Sequence, residues 1–530
     1  MNTKRNPYVF QIGFDFGTAY SKCVIRDLNS EEAFVYIPKI SINDNMPFLF
    51  PSAVHFENGF FSTYQAKLNY FEHDERKLDY LKLALEGSAN GSNKDILNKY
   101  EKLAQSVDFE TNEFAFLATV FFLAKSISEI VNHIKDKTKD YGKDDYDMIA
   151  INMCIPVYCA NEIIIKSKFS EALNCAWKLS DHLHQRNEIS IQHLEKITKK
   201  IRNSCVESEE YCYLYPEVSA NMHGFVRSRV SKPGTYMFSD IGAGTVDQCI
   251  FIFDKTDKTE KVAYISAEVF PLGSSLIERK SLKKFYLLPT NKQEIILSNL
   301  HKILTIIKSK ISNIQGTNFD CIDIMLQQKK YSVLNESNTK YTLLNSLQLI
   351  KENRKLFDEK FKNNSSQNTT HFTKNKRIII NQKNNSTTPD IEYNAIDDLL
   401  YLIIESTGDI KKDLDLKTSL NFTKALQKIY TLNKIKLIFG GGGNAPIPYE
   451  ESVKYAFHSV KNTKIPVILT LPKPADLDAE DHWMPRLSVA YGLSFNRFDL
   501  HKIILPQDII PLELTHTKDY PRQMTSKDEC

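Results

Sequence analysis

Apolar and polar positions divide the chain into elements of two periods. The opening YVFQIGFDFGTAYSKCVIRD places β-branched and aromatic residues on both sides of a break at Gly17, which predicts two strands joined by a tight turn with polar groups at its tip. From Glu113 to Lys137 the apolar residues recur at helical spacing; MIAINMCIPV then predicts a short buried strand and NEIIIKSKFSEALNCAW a further helix. A second strand, turn and strand follow at YMFSDIGAGTVDQCIFIFD, in the order of the first: apolar strand, Asp, small residues, Thr, apolar strand. The chain therefore reads as two copies of one design. KIKLIFGGGGNAPIPYEESVKYAFHSV predicts a strand, a glycine run and a helix, and RLSVAYGLSF a small-residue helix.

Composition changes this picture in a few places. With 530 residues, 42% hydrophobic and 25% charged, the chain is long enough for two or more cores. A net charge of +3 leaves no broad electrostatic footprint for nucleic acid or an anionic membrane, so neither is expected as a partner. The longest apolar run, Phe114 to Ala124, is too short to span a bilayer and is cut by Lys125. A cytoplasmic protein is expected, and the nine scattered cysteines, none in a CxxC pair, are expected to be buried reduced thiols. Lys351 to Asn394 is rich in Asn, Ser, Thr, Lys and Gln and predicts an inserted surface region.

Three turns carry candidate chemistry. A turn with Gly17 and Thr18 can offer backbone N–H groups and a hydroxyl to phosphate oxygens, with Asp15 beside them to hold a hydrated Mg²⁺. In DIGAGTVD, Gly242, Ala243 and Gly244 let the backbone approach an anion, and Asp240 and Asp247 flank the turn. The run Gly440 to Gly443 sits between a strand and a helix, where backbone approach to a ligand is favoured. Each turn also has an ordinary reading as turn chemistry; the pair of hairpins points to a nucleotide gripped from both sides.

In this order the three segments resemble the phosphate-one, phosphate-two and adenosine motifs of the superfamily of actin, sugar kinases and heat-shock protein 70. The heat-shock protein 70 branch is the most similar, through FPSAVHFENGFFSTYQAK, the strand ending at Pro156, Glu217 in YLYPEVSANMHGF, and Ala490 and Gly492 in RLSVAYGLSF. The chain departs from that branch in its adenine helix, ILTIIKSKIS, where Lys308 and Ser312 match but Thr305 and Ser309 replace Glu and Arg. It departs again after the glycines, where Ala445 or Pro446 replaces an Arg.

The resemblance implies an α/β fold of two duplicated ribonuclease-H-like (actin-like ATPase) lobes around a nucleotide cleft. It implies lobe I over 1–197, lobe II over 198–475 with the insert near 351–394, a connecting helix over 476–498 returning to lobe I, and a short tail over 499–530 in place of a peptide-binding domain. ATP or ADP with Mg²⁺ is the implied ligand. Asp15 and Asp240 would hold the metal through water. Gly17, Thr18, Ala19, Tyr20, Gly242, Ala243, Gly244 and Thr245 would take the phosphates, and Lys308, Ser312, Gly441, Gly442, Gly443 and Asn444 the nucleoside. Lys82, with Lys77 as the alternative, would meet the γ-phosphate and attacking water, and Glu217 or Asp247 would orient that water or the metal. The implied function is a slow, Mg-dependent, chaperone-like or regulatory ATPase acting as a conformational switch on a partner or client protein. The alternatives are a pseudo-ATPase scaffold and a filament-forming actin-like segregation or cytoskeletal protein.

Overall fold

The structure, a computed structural model, describes residues 5–39, 46–64, 76–156, 162–183, 186–204, 211–226, 231–255, 260–273, 276, 289, 410–427, 435–441, 447–461, 467–469 and 471–496. The chain begins with β1 (Val9–Asp15), β2 (Tyr20–Asp27), β3 (Ala33–Val35), β4 (Phe50–Pro51), β5 (Val54–Glu57), β6 (Phe60–Thr63) and β7 (Lys77–Leu78). Helices α1 (Leu81–Asn90), α2 (Lys94–Gln105) and α3 (Thr111–Lys137) precede β8 (Met148–Ile155), α4 (Ile163–Ser180), β9 (Glu188–Ser190), α5 (Ile191–Ser204), β10 (Cys212–Pro216) and α6 (Glu217–Val226). The second half supplies β11 (Gly234–Ile241), β12 (Val246–Lys255), β13 (Glu260–Phe270), a helix α7 over 410–427, β14 (Lys436–Gly440), α8 (Ile447–Lys461), β15 (Val467–Leu469), β16 (Leu477–Asp478) and α9 (Met484–Leu493).

The fold is mixed α/β, and its two larger sheets follow one plan. In the first, β1 pairs antiparallel with β2 and β2 with β3, while β8 and then β10 add in parallel on the other side of β1. In the second, β11 pairs antiparallel with β12 and β12 with β13, while β14 and then β15 add in parallel beyond β11. A smaller sheet of order β7-β5-β6-β9 stands apart from both. Residues 477–478 of β16 pair with β3, so the chain rejoins the first sheet just before α9. The boundary expected at 197/198 falls inside α5. The first sheet draws its last parallel strand from beyond it, because Cys212–Pro216 ladders onto Ile151–Ile155.

Strand periodicity distributes the core. Along β2, Cys23 and Ile25 join α1, α3 and α4 in one cluster, while Val24 between them faces Leu487, Ala490 and Tyr491 of α9. On β11, Tyr236 and Phe238 belong to that second cluster, whereas Met237 meets Phe422 of α7 and Val453 and Phe457 of α8. Helix α9 thus packs on β1, β2 and β14, and its close approach depends on two glycines. A Cβ on Gly13 would enter the Ala490 carbonyl, and one on Gly492 the Ala220 carbonyl of α6. The buried Asn152 amide of β8 donates to the carbonyls of Leu493 (2.8 Å) and Phe495 (3.0 Å) and fixes the end of α9.

Helix α3 extends the predicted helix by two residues and is long and apolar enough to cross a membrane by length and composition. In this fold 83% of its apolar window is buried, chiefly under α1 and α4.

Candidate functional site

Neighbouring strands deliver polar residues to one edge of each large sheet. Asp15 ends β1, Cys154 lies one residue from the end of β8, and Glu217 follows β10 directly. In the second sheet Asp240 lies next to the end of β11, and Gly440 ends β14 opposite it. Carboxyl ends of parallel strands are where open α/β sheets form clefts.

The first hairpin is held by its own backbone and by Ser52. The Gly17 amide donates to the Asp15 carbonyl at 3.0 Å, and the Ser52 hydroxyl donates to the Gly17 carbonyl at 2.7 Å. The Ser52 amide donates to the Ala19 carbonyl at 3.0 Å, so the PSAVHF segment buttresses the turn. Across the ladder from Asp15 stands Lys22, whose Nζ is 2.5 Å from Asp15 Oδ2. The Cys154 thiol donates to the other oxygen, Oδ1, at 3.4 Å. Asp15, Cys154 and Glu217 bring their ligand atoms within 4.8 Å of one another.

Lys82 is the second residue of α1, where a helix terminus disfavours a cation; its Nζ ion-pairs with Glu217, which opens α6 and there meets a favourable dipole. Lys82 is 3% exposed, so its ammonium is held in this ion pair away from solvent. Lys77, the alternative, lies on β7 and pairs instead with Asp79.

In the second hairpin the Gly242 amide donates to the Thr245 carbonyl at 2.9 Å and closes the turn. Asp247 stands opposite Asp240 in the ladder and accepts from the Thr245 hydroxyl at 2.9 Å through Oδ2. Its Oδ1 is buried without a hydrogen-bond partner among the described residues. Asp240 accepts from the Asn221 amide of α6, and Ser488 of α9 donates to Asn221 Oδ1 at 2.5 Å. Gly441, at φ +82°, packs where a Cβ would strike Asp240 Oδ1, and its amide donates to the Pro485 carbonyl at 2.7 Å. The tips of the two hairpins meet: Thr18 Oγ1 lies 2.9 Å from where a Gly244 Cβ would stand.

Charge is unbalanced here. Asp15, Glu217, Asp240 and Asp247 face Lys22 and Lys82. Burial pushes Asp240 up to about 7, aided by the Glu217 and Asp15 charges and opposed by Asn221 and Lys22. Burial, then Glu217 and Asp240, raise Asp247 well above the carboxylate range. Burial works against the Lys82 charge; Cys154, Glu217 and Asp15 outweigh it, and the net shift is upward. Burial raises the Cys154 thiol well above its ordinary value.

The expected residues Asp15, Gly17, Thr18, Lys82, Glu217, Asp240, Gly242, Gly244, Thr245, Asp247 and Gly441 converge on this edge. Ala19 and Tyr20 lie on the turn and the start of β2, and Ala243 at the second tip. Lys308, Ser312, Gly442, Gly443 and Asn444 lie outside the described residues, as do the insert and the tail. Sequence reasoning passed over Lys22, Asn221, Cys154 and Ser488. Only Lys22 had a local signal, since a ladder closing around Gly17 and Thr18 sets it against Asp15. Cysteines 23, 154, 175, 212 and 249 are buried and carry no disulfide, and the other four lie outside the described residues.

No protein-family model and no curated protein matches the chain.

Proposed function

We propose that the chain is a two-lobed, ATP-dependent switch of the actin and heat-shock protein 70 type. Each large sheet is the core of a ribonuclease-H-like lobe, and the nucleotide phosphates lie between the two hairpins. The observation that carries this reading is the repeated strand order with an aspartate at the same point of each central hairpin, Asp15 and Asp240, and the two tips facing each other at Thr18 and Gly244.

The donor set fits a hydrated Mg²⁺ with polyphosphate. Buried carboxylates outnumber the ammonium groups, and Asp247 keeps an oxygen without a hydrogen-bond partner among the described residues. Asp15 and Asp240 would hold the metal through water, and the metal would neutralise charge on the phosphates. Backbone amides of both turns orient the phosphates, Lys82 supplies a fixed cation, and Glu217 and Asp247 orient water for in-line attack that yields ADP and phosphate. Loss of contact to one tip frees the lobes to rotate, which a partner or client protein reads.

Thermal unfolding with and without Mg²⁺ plus ATP, ADP or GTP tests this. A ligand at a hundred times its Kd stabilises the native state by about 2.7 kcal/mol. Stabilisation by ATP that is lost in Asp15→Asn or Asp240→Asn is expected. A second reading, a pseudo-ATPase scaffold, draws on the ion pairs of Lys22 with Asp15 and Lys82 with Glu217, which neutralise part of the cleft internally. It is the outcome if no nucleotide shifts the transition.

A further inference from the structure

Lys22 stands where the metal would have to approach. Both oxygens of Asp15 are engaged, Oδ2 by the Lys22 ammonium at 2.5 Å and Oδ1 by the Cys154 thiol at 3.4 Å. The same ammonium lies 3.5 Å from where a Gly17 Cβ would stand, over the turn that would cradle phosphate, and it acts on the charge of Asp240 across the cleft. Its side chain is 16% exposed and that of Asp15 6%, so solvent screens the pair weakly. The Lys82 ammonium is engaged by Glu217 instead, whereas the described contact of the Lys22 ammonium is with Asp15 itself. A divalent ion reaching for Asp15 in the empty cleft meets a like charge and must break a close ion pair. A polyphosphate removes that obstacle, since its oxygens are an alternative anion for an ammonium on a flexible stem.

We propose that Lys22 gates the metal: its ammonium keeps free divalent cations off Asp15 in the nucleotide-free protein, so that the metal enters only as its complex with a polyphosphate. The gate rests on the reading of the cleft as a nucleotide site, and it is one-sided, because the matching ladder position of the second hairpin holds Asp247.

Titration of the nucleotide-free full chain with Mn²⁺, followed by electron paramagnetic resonance, tests the gate in the wild type, Lys22→Met, Lys22→Arg and the double variant Lys22→Met with Asp15→Asn. The expected result is Mn²⁺ binding about tenfold or more tighter in Lys22→Met, wild-type affinity in Lys22→Arg, and loss of the gain in the double variant. Equal affinity of the wild type and Lys22→Met overturns the gate, as does a gain that survives Asp15→Asn. Circular dichroism establishes that each variant is folded, and Lys22→Gln replaces Lys22→Met in the same comparison if the latter is not. The ATP-induced shift of the wild type, measured alongside, separates the two readings. A gain in Mn²⁺ affinity without any ATP shift overturns loading by polyphosphate, whereas an ATP shift without a gain overturns the gate and leaves the nucleotide reading standing.

Discussion

In the first hairpin the residue across from Asp15 is Lys22; in the second, the residue across from Asp240 is Asp247. The ladders are equivalent and the strand order around them is the same, yet one hairpin carries its own counter-ion and the other carries two buried acids. The difference shows that backbone plan and electrostatic role are set separately. Period-two alternation of apolar residues builds both hairpins, while the shared ladder position sets an ammonium against one aspartate and a second carboxyl group against the other.

The largest effect is expected from removing the cation that serves both. Lys82→Met leaves the partly buried Glu217 beside Asp15 and Asp247 without its partner and should destabilise the protein by about 3–5 kcal/mol in denaturant unfolding. Adding Glu217→Gln should restore most of that loss, and a double variant as unstable as the single one would reject the pairing.

The turns separate next. A Cβ on Gly17 would strike the Tyr20 carbonyl, whereas one on Gly242 would stand 3.3 Å from the Thr245 carbonyl. Gly17→Ala should cost about 1–3 kcal/mol and Gly242→Ala less than about 1 kcal/mol, read as the difference in unfolding midpoint at constant m-value.

The acid pair should appear in the pH dependence. Asp240 rises from an ordinary carboxylate value in the unfolded chain to about 7 in the native state, so between about pH 4 and 7 the native state binds more protons. Its stabilising contribution is complete below the unfolded value and declines as pH rises through 7, by roughly 1 kcal/mol per pH unit. Asp240→Asn should flatten this slope, and an unchanged slope would place the titration elsewhere. Asp247→Asn should stabilise the protein at pH 8, a gain that shrinks as pH falls toward the ordinary carboxylate value, because only the charged form is penalised by burial.

Much of the fold was legible because its elements are locally encoded. The helix expected from Glu113 to Lys137, the strand at MIAINMCIPV, both hairpins and the helix in RLSVAYGLSF all form near their expected limits. The first sheet's outer edge was not legible, since Cys212–Pro216 is short and its partner β8 lies far back in the sequence. At the site, residues within turns could be found by their spacing. Asn221 and Ser488 could not: they reach Asp240 only because α6 and α9 cross in contact. Likewise the burial of Lys82 depends on Glu217, far from it in sequence, whereas its own helix N-terminus disfavours the charge.

Helix α3 has a consequence for synthesis. Of the helices that chiefly cover it, α1 precedes it in the chain, whereas α4 ends at Ser180, well after Lys137 has been made. At ribosomal speeds of about 5–20 residues per second the nascent chain carries this apolar helix without its α4 cover for on the order of a few seconds. During that interval the α3 segment resembles a membrane segment to any cellular factor that sorts emerging chains by hydropathy. Polar substitutions on its buried faces would therefore act twice, weakening the finished core and altering how the unfinished chain is handled.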